Sequence, residues 1–205
     1  MKVKICGLSD EQAVHAAVSN GADAIGFVFA KSKRKVDPYT VADITKAVPA
    51  SVQKVGVFVN ETKEIIEEIA QLCRLDLIQL HGDESEEFAT SLSYPVIKAF
   101  GISSQEDLER AKSYPAEYVL LDSPKGKYRG GNGTSFDWNL LKSSDLPQKI
   151  IIAGGLNEHN VQSLLDKVTP FMVDVSSGVE TDGKKDLNKI KRFIEKVKQT
   201  EEAVG

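Results

Sequence analysis

The chain contains few of the features that mark several common protein classes. Only two of its 205 residues are cysteines, too few for the disulfide framework of a small secreted domain. No apolar run approaches the roughly 18 residues that a membrane-spanning helix requires. The first residues also lack the apolar stretch and the cleavage site of a secretory signal. We therefore expect a reduced, cytoplasmic protein without a membrane partner.

Basic residues are not in excess either. The formal net charge is −4, from 26 lysines and arginines against 30 acidic residues, which argues against a nucleic-acid partner. A small anionic ligand remains compatible with this charge, because a few local donors outweigh the overall sign. The hydrophobic fraction of 41% suffices for a sizeable core. Since no shift in composition marks a boundary, residues 1–205 are predicted to form a single domain.

Eight short apolar runs alternate with eight segments whose apolar residues recur at helical spacing. The runs are continuously apolar in places, which indicates strands buried on both faces of a parallel sheet. The predicted strands are Val3–Cys6, Ala24–Phe29, Val55–Val59, Leu77–Leu80, Val96–Phe100, Tyr118–Leu121, Ile150–Ala153 and Phe171–Val175. The predicted helices lie near residues 10–20, 38–48, 62–73, 84–92, 104–113, 138–144, 159–168 and 186–198.

Apolar stripes and capping residues support the helices. In the third helix we expect Ile65, Ile69 and Leu72 to face the core, opposite a row of glutamates. The last helix carries a similar stripe that begins at Ile190. Helix start signals precede three of the segments, at Ser9–Asp10, Asp37–Pro38 and Ser103–Ser104.

Eight strand–helix units in about 200 residues are the minimum for a (β/α)₈ barrel, the TIM barrel. A doubly wound open sheet is the alternative, but it usually has fewer strands. A nucleotide-binding sheet of that kind often shows Gly-x-Gly-x-x-Gly after its first strand. Here the first strand ends in Cys6–Ser9, which does not match. We therefore predict a single α/β domain with the barrel fold.

Glycines and serines follow the last two strands, where barrels commonly bind the phosphate of a substrate. Gly154 and Gly155 come after strand seven, and Ser176, Ser177 and Gly178 come after strand eight. Glycine lets an oxyanion approach backbone N–H groups closely, and hydroxyls add donors. The alternative is that these glycines only permit tight turns. Their joint occurrence in neighbouring units favours a phosphate site.

Cys6 and Asp122 end strands one and six, so both are expected at the mouth of the barrel. A thiolate accepts a proton and a carboxylic acid donates one, which makes them candidates for a base and an acid. Near an electropositive phosphate region we expect the pKa of Cys6 to lie below about 8.5. The alternative for Cys6 is a small buried apolar residue. Cys73 has no polar companions and is interpreted as structural.

Further polar residues are expected at the same end of the barrel. Arg34, in a basic loop after strand two, can hold a carboxylate through two hydrogen bonds, or can simply be solvated. His81 can contact substrate or hold its own loop, and Asp174 ends strand eight. The long segment Ser123–Ser135 includes Gly130–Thr134 and basic residues, which is typical of a lid over an anion or of a solvated loop.

No metal site is predicted, because the three histidines, which are His15, His81 and His159, are scattered along the chain.

Taken together, these motifs resemble the phosphoribosylanthranilate isomerase family of tryptophan biosynthesis, nearly from end to end. The resemblance is carried by Lys4–Gly7, Gly21–Phe29, Lys31–Arg34, Val55–Asn60, Gln79–Gly82, Leu121–Asp122, Gly130–Thr134, Phe136–Trp138, Ala153–Leu156 and Asp174–Glu180.

The resemblance implies an Amadori rearrangement, in which N-(5-phosphoribosyl)anthranilate becomes its 1-deoxyribulose 5-phosphate isomer. By similarity Asp122 is the general acid, Cys6 the general base, and Arg34 the ligand of the anthranilate carboxylate. Asp174 and His81 are expected to line the site. The backbone at Gly154, Gly155, Ser177 and Gly178 is expected to hold the phosphate. No cofactor is implied.

Other barrels remain as alternatives. Indoleglycerol-phosphate synthase and the tryptophan synthase α-subunit are expected to be longer and to lack Lys4–Gly7. A histidine-pathway sugar isomerase uses a pair of aspartates, which the cysteine at position 6 argues against. A non-catalytic phosphate-binding barrel would need Cys6 and Asp122 for stability only. The resemblance is compatible with a monomer or a homodimer.

Overall fold

Eight parallel strands close into a barrel in the computed structural model, which describes residues 1–124, 136–143 and 146–202. Each strand pairs with its neighbour in sequence, and β8 pairs with β1 to close the ring. The strands are β1 (Lys2–Cys6), β2 (Ala24–Val28), β3 (Gln53–Phe58), β4 (Leu77–Leu80), β5 (Val96–Gly101), β6 (Tyr118–Asp122), β7 (Lys149–Ile152) and β8 (Met172–Val175). The predicted (β/α)₈ barrel is confirmed.

The helices that cover this barrel agree with the prediction in all but one unit. They are α1 (Glu11–Ser19), α2 (Pro38–Ile44), α3 (Lys63–Cys73), α4 (Glu86–Ser91), α5 (Gln105–Ser113), α6 (Val161–Leu165) and α7 (Leu187–Glu202). The segment predicted as helix six is instead a 3₁₀-helix at Trp138–Ser143. Trp138 and Leu141 are its buried residues, and their spacing of three suits the 3₁₀ repeat.

A small hairpin after β8 is absent from the predicted elements. A second 3₁₀-helix, Ser177–Val179, leads into β9 (Glu180–Thr181), which pairs antiparallel with β10 (Lys184–Lys185). The turn between them contains Asp182 and Gly183, both with positive φ (52° and 77°). This is the backbone that a tight two-residue hairpin turn requires, and Asp-Gly is one of its preferred sequences.

Capping side chains begin the helices where the sequence predicts. The carboxylate of Asp10 accepts a hydrogen bond from the N–H of Ala13 at 2.9 Å. Asp37 caps α2 in the same way, with Pro38 in the first turn. Ser104 and Asp107 cap α5 reciprocally. These bonds satisfy N–H groups that the first turn of a helix leaves without a partner.

The predicted core stripe of α3 is wrong at Ile65 and Leu72, whereas Ile69 is half-buried and packs against the core as predicted. Ile66, Ala70 and Cys73 are buried, whereas Ile65 and Leu72 are 42% and 39% exposed. A pattern that weighs large apolar side chains selects Ile65 and Leu72. The helix instead packs through a face that contains the small residues Ala70 and Cys73, which permit a close approach.

Successive strand residues point alternately into the barrel and out toward the helices. The outer layer packs against the helices, and includes Ile5 of β1 and the stripe of α7, whose members Ile190, Phe193, Ile194 and Val197 are all buried. The barrel interior is filled by a second apolar cluster, formed by Ala24, Val55, Leu77, Ile97, Ala99, Leu120, Ile151, Ala153 and Met172. Above this cluster, inward positions at the carboxyl ends of the strands are polar.

Candidate active site

A cavity of about 480 Å³ opens at the carboxyl ends of the strands. Its size suits a small-molecule ligand. The residues that line it are Cys6, Val28, Ala30, Lys31, Ser32, Lys33, Arg34, Val57, Val59, Gln79, His81, Asp122, Ala153, Gly154, Gly155, Leu156, Asp174, Ser176 and Ser177. Eight of the nine residues predicted for the site therefore share one cavity.

The ninth, Gly178, is not among the lining residues. A side chain at this position would place its first carbon on top of the backbone carbonyl of Leu156. The turn after β8 therefore packs directly against the loop after β7, and glycine is required for that contact. The predicted lid at Gly130–Thr134 lies outside the described residues.

Cys6 and Asp122 are the last residues of β1 and β6, and both point into the cavity. Each is buried, with 6% of its surface exposed. Two strands, β7 and β8, separate β6 from β1 around the ring. A ligand in the cavity therefore meets a thiol and a carboxyl group from two separate strands.

Charged groups surround the thiol of Cys6. Lys4, two residues earlier on the same face of β1, is fully buried, and its Nζ donates to Oδ1 of Asp174 at 3.0 Å. A side-chain carbon at Gly26 would come within 2.8 Å of Cys6 Sγ and 3.2 Å of Lys4 Cε. The glycine on β2 thus leaves the space in which the thiol and the lysine meet.

The expectation of a lowered pKa at Cys6 is wrong. Burial raises the pKa of Cys6, and the nearby charge of Asp174 acts in the same direction. Lys4 and Lys185 oppose this effect by stabilising the thiolate, but they do not reverse it. Sequence reasoning expected electropositive surroundings for Cys6 from the phosphate region, but it missed the two lysines and how completely the barrel removes the thiol from water.

The carboxyl group of Asp122 contacts two polar neighbours. Its Oδ1 accepts the N–H of Ser123 at 2.7 Å, and its Oδ2 lies 3.4 Å from Nε2 of His81. The other ring nitrogen of His81 lies 3.0 Å from Nε2 of Gln79, an inward residue of β4. Gln79 thereby fixes the orientation of the imidazole, and the imidazole contacts the carboxyl group.

Arg34 already has a carboxylate partner within the chain. Its Nε and Nη2 donate to Oε1 and Oε2 of Glu180 at 2.6 and 2.9 Å. Its stem crosses Gly7, where a side-chain carbon would lie 2.6 Å from Arg34 Cδ. The positive φ of Gly7 (77°) and this contact both require glycine.

The loop after β7 contains two successive glycines in the left-handed region. Gly154 and Gly155 have φ values of 82° and 63°, which glycine adopts without strain. Asn160 anchors the loop by donating from Nδ2 to the carbonyl of Gly155 at 2.9 Å. In the turn after the next strand, Ser176 and Ser177 line the same cavity.

The functional candidates that sequence reasoning missed are Lys4, Gln79, Glu180 and Lys185. The first two each precede a predicted site residue by two positions on the same strand face, so strict alternation would have pointed to them. The last two face each other across the hairpin, which its Asp-Gly turn would have indicated.

Among the described residues, no group of three metal-ligating side chains is close enough to hold an ion. His15 lies on α1, and the side chain of His159 is 84% exposed. None of the described helices combines the length and the apolar character needed to cross a bilayer.

Comparisons of the sequence with known proteins all point to one family. The model of the N-(5'-phosphoribosyl)anthranilate (PRA) isomerase family matches residues 3–196. A protein of Bacillus mycoides named N-(5'-phosphoribosyl)anthranilate isomerase is 52% identical over 201 residues, which cover 97% of this chain and 98% of that protein. A Bacillus cereus protein of the same name is 51% identical over the same shares of both chains.

Solved structures give the same result. The crystal structure of phosphoribosyl anthranilate isomerase from Thermotoga maritima is 44% identical, with a TM-score of 0.90 over 97% of this chain and 99% of that one. Another isomerase structure, in complex with reduced 1-(o-carboxyphenylamino)-1-deoxyribulose 5-phosphate, is 42% identical with a TM-score of 0.86 over the same shares. With its barrel, its cavity and these relatives in agreement, the chain belongs to the N-(5'-phosphoribosyl)anthranilate isomerase family.

Proposed function

We propose that this chain converts N-(5-phosphoribosyl)anthranilate to 1-(2-carboxyphenylamino)-1-deoxyribulose 5-phosphate by general acid–base catalysis. The observation that carries the proposal is the arrangement of one cavity. The thiol of Cys6 and the carboxyl group of Asp122 enter it from separate strands. The basic loop after β2 and the glycine- and serine-containing turns after β7 and β8 line the same cavity. An aldose–ketose rearrangement needs one acid, one base and a grip on each end of the substrate.

Asp122 acts first as the general acid. It protonates the ring oxygen of the ribose, the bond from this oxygen to C1 breaks, and the lone pair of the anthranilate nitrogen forms a C1=N iminium. The position of Asp122 in the cavity and its contact with His81 support this role, since a general acid must lie within hydrogen-bond reach of the atom that it protonates.

Cys6 then acts as the general base. Its thiolate removes the proton from C2, and the electrons of that bond form a C1=C2 double bond and neutralise the iminium. The resulting enolamine tautomerises to the ketone as C1 gains a proton and the C2 hydroxyl loses one. The reaction needs no cofactor, because the substrate nitrogen accepts the electrons.

The two ends of the substrate are held by different loops. The phosphate is proposed to bind backbone N–H groups of Gly154, Gly155, Ser177 and Gly178. The two glycines support this role, because residues without a side chain let an anion approach backbone N–H groups closely.

Arg34 is proposed to bind the anthranilate carboxylate, and Asp174 and His81 to contact the substrate between its ends. The contact of Arg34 with Glu180 uses its Nε and Nη2 edge. This contact leaves Nη1 and the second hydrogen of Nη2 as donors for the substrate.

The proposal extends to the setting in which the chain acts. Both cysteines are free thiols, which fits a reducing cytoplasm. A solved relative consists of monomers generated from the dimeric isomerase of Thermotoga maritima, and this chain is proposed to act as a monomer or a homodimer on a small phosphorylated molecule.

The test is an assay of the purified protein with freshly made phosphoribosylanthranilate, followed by the loss of substrate fluorescence. We expect rapid, catalytic conversion, with the ketose product identified by its proton NMR spectrum, since an isomer has the same mass as the substrate. A folded protein that binds inorganic phosphate but leaves the substrate unchanged would contradict the proposal and favour a non-catalytic barrel.

A further inference from the structure

A chain of ion pairs and hydrogen bonds crosses the hairpin β9–β10. It connects the basic loop that contains Arg34 to the turn after β8, Ser176–Gly178. Glu180 accepts from Arg34 on one side and, through Oε1, from Nζ of Lys185 at 2.8 Å on the other. Lys185 also donates to the backbone carbonyl of Ser176 at 2.8 Å. The lysine therefore joins the carboxylate that holds Arg34 to the residue that begins the turn.

The hairpin places these groups by its pairing. Glu180 and Lys185 are directly opposite each other in the antiparallel register. Nζ of Lys189, on α7, donates to the carbonyl of Glu180 at 2.8 Å, and Thr181 bonds to Asp186 at 2.8 Å. The hairpin is thus fastened to the helix behind it and holds its charged side chains at a fixed place.

Because most of the network is buried, only one of its charged groups is available to a ligand in the cavity. The side chains of Lys185 and Glu180 are only 3% and 10% exposed, and that of Arg34 is 22% exposed. Two cations around one buried carboxylate leave an excess positive charge, and Arg34 is the member that lines the cavity. The network therefore presents this charge to a ligand at a single, oriented guanidinium.

We propose that Glu180 and Lys185 are positioning residues, which fix the guanidinium of Arg34 relative to the turn at Ser176. They thereby set the distance between the site that binds the substrate carboxylate and the site that binds its phosphate. This inference rests on the proposed function, because it takes Arg34 as the carboxylate ligand and Ser177 as part of the phosphate site. Neither residue is proposed to touch the reacting atoms.

The test uses Glu180→Gln, which keeps the shape of the side chain and removes its charge. We expect KM to rise about two- to tenfold with kcat little changed, since an arginine that is no longer held must be ordered on binding. The inhibition constant of anthranilate is expected to rise by a similar factor, whereas that of inorganic phosphate stays unchanged. In Lys185→Met, which disconnects both loops, both inhibition constants are expected to rise.

Asp23→Asn is the matched control, because Asp23 forms an ion pair with Lys198 at 2.8 Å that lies outside the cavity. Its kinetic constants are expected to equal those of the unmodified chain. If Glu180→Gln does not fold, Glu180→Asp tests the same contact, since the shorter side chain keeps the charge but withdraws the carboxylate from Arg34.

Three outcomes would overturn the inference. These are an unchanged KM and anthranilate constant in Glu180→Gln, a fall in kcat alone, and an equal rise of both inhibition constants in that variant together with a lower melting temperature. The last would show a merely structural role. Equilibrium binding of anthranilate and of phosphate reads the same contrast without turnover, so failure of the proposed reaction remains distinguishable from failure of this inference.

Discussion

Replacing Lys4 by methionine removes one partner of a buried ion pair inside the barrel. The lysine is fully buried, and its Nζ lies 3.0 Å from Oδ1 of Asp174, whose side chain is 8% exposed. At an effective dielectric constant of about 20, unit charges at that distance attract by about 5–6 kcal/mol. Methionine fills a similar volume but leaves the carboxylate of Asp174 buried without its cation.

The expected loss of stability in Lys4→Met is about 3–5 kcal/mol, the usual cost of removing one partner of a buried ion pair. Urea denaturation at pH 7 measures it. The double variant Lys4→Met/Asp174→Asn serves as the control, because it removes the unpaired charge and is expected to recover part of the loss. A loss below about 1 kcal/mol in Lys4→Met would refute this account of the pair.

The same substitution has a pH dependence whose direction is fixed. Burial alone would lower the pKa of Lys4, but Asp174 and Cys6 outweigh it and raise the pKa above its ordinary value of 10.5. A cation with a raised pKa stabilises the fold fully below that value and loses this contribution as the pH rises further. The difference in the free energy of unfolding between the unmodified chain and Lys4→Met is therefore expected to stay constant near neutral pH. It is expected to become smaller only above pH 10.5.

Lys4→Met also acts on the thiol. Because the cation opposes the effect of burial on Cys6, its removal is expected to raise the pKa of Cys6 further. Far-ultraviolet absorbance of the thiolate, followed against pH, measures this change. The Cys73→Ser background removes the signal of the second thiol. An unchanged titration would show that Lys4 does not act on Cys6.

Two further substitutions test the loop after β7 and the loop after β2 independently. In Gly154→Ala the new carbon would lie 2.3 Å from Ser123 Oγ and 2.9 Å from Asp122 Oδ1, at a φ of 82°. We expect a loss of stability of at least about 1–2 kcal/mol from the backbone alone, and a fall in kcat as Asp122 is displaced. Gly21→Ala, also at positive φ but with no atom within 4 Å, is the control for the backbone effect and is expected to keep its kcat. Equal kcat values in the two variants would contradict the contact with Asp122. Arg34→Ala is expected to raise KM by about 10- to 100-fold through the loss of charge-assisted hydrogen bonds, as measured by steady-state kinetics. An unchanged KM would show that the carboxylate is held elsewhere.

The sequence predicted the barrel because its signals are local. Continuous apolar runs such as Ile150–Ala153 and caps such as Asp10 act within a few residues, so order and approximate bounds follow from them. Since the carboxyl ends of parallel strands share one end of a barrel, the meeting of Cys6 and Asp122 in one cavity also followed.

The remaining features depend on contacts between distant segments. The pairing of Lys4 with Asp174 is a matter of register between β1 and β8, which no local pattern encodes. The thiol pKa depends on how far the closed barrel excludes water. The inward face of α3 is chosen by the fit of small residues such as Ala70 against neighbouring elements, not by the size of the apolar side chains.

The turnover numbers of Cys6→Ser and Asp122→Asn, compared with that of Cys73→Ser, test the acid–base assignment most directly. Cys73 donates to the carbonyl of Pro38 between α3 and α2, away from the cavity, so its variant controls for the loss of a buried thiol. The account predicts that each of the first two variants folds and loses about 10²–10⁴-fold in kcat, with KM little changed, while Cys73→Ser turns over normally. A folded Cys6→Ser or Asp122→Asn protein that rearranges phosphoribosylanthranilate at the unmodified rate would contradict it.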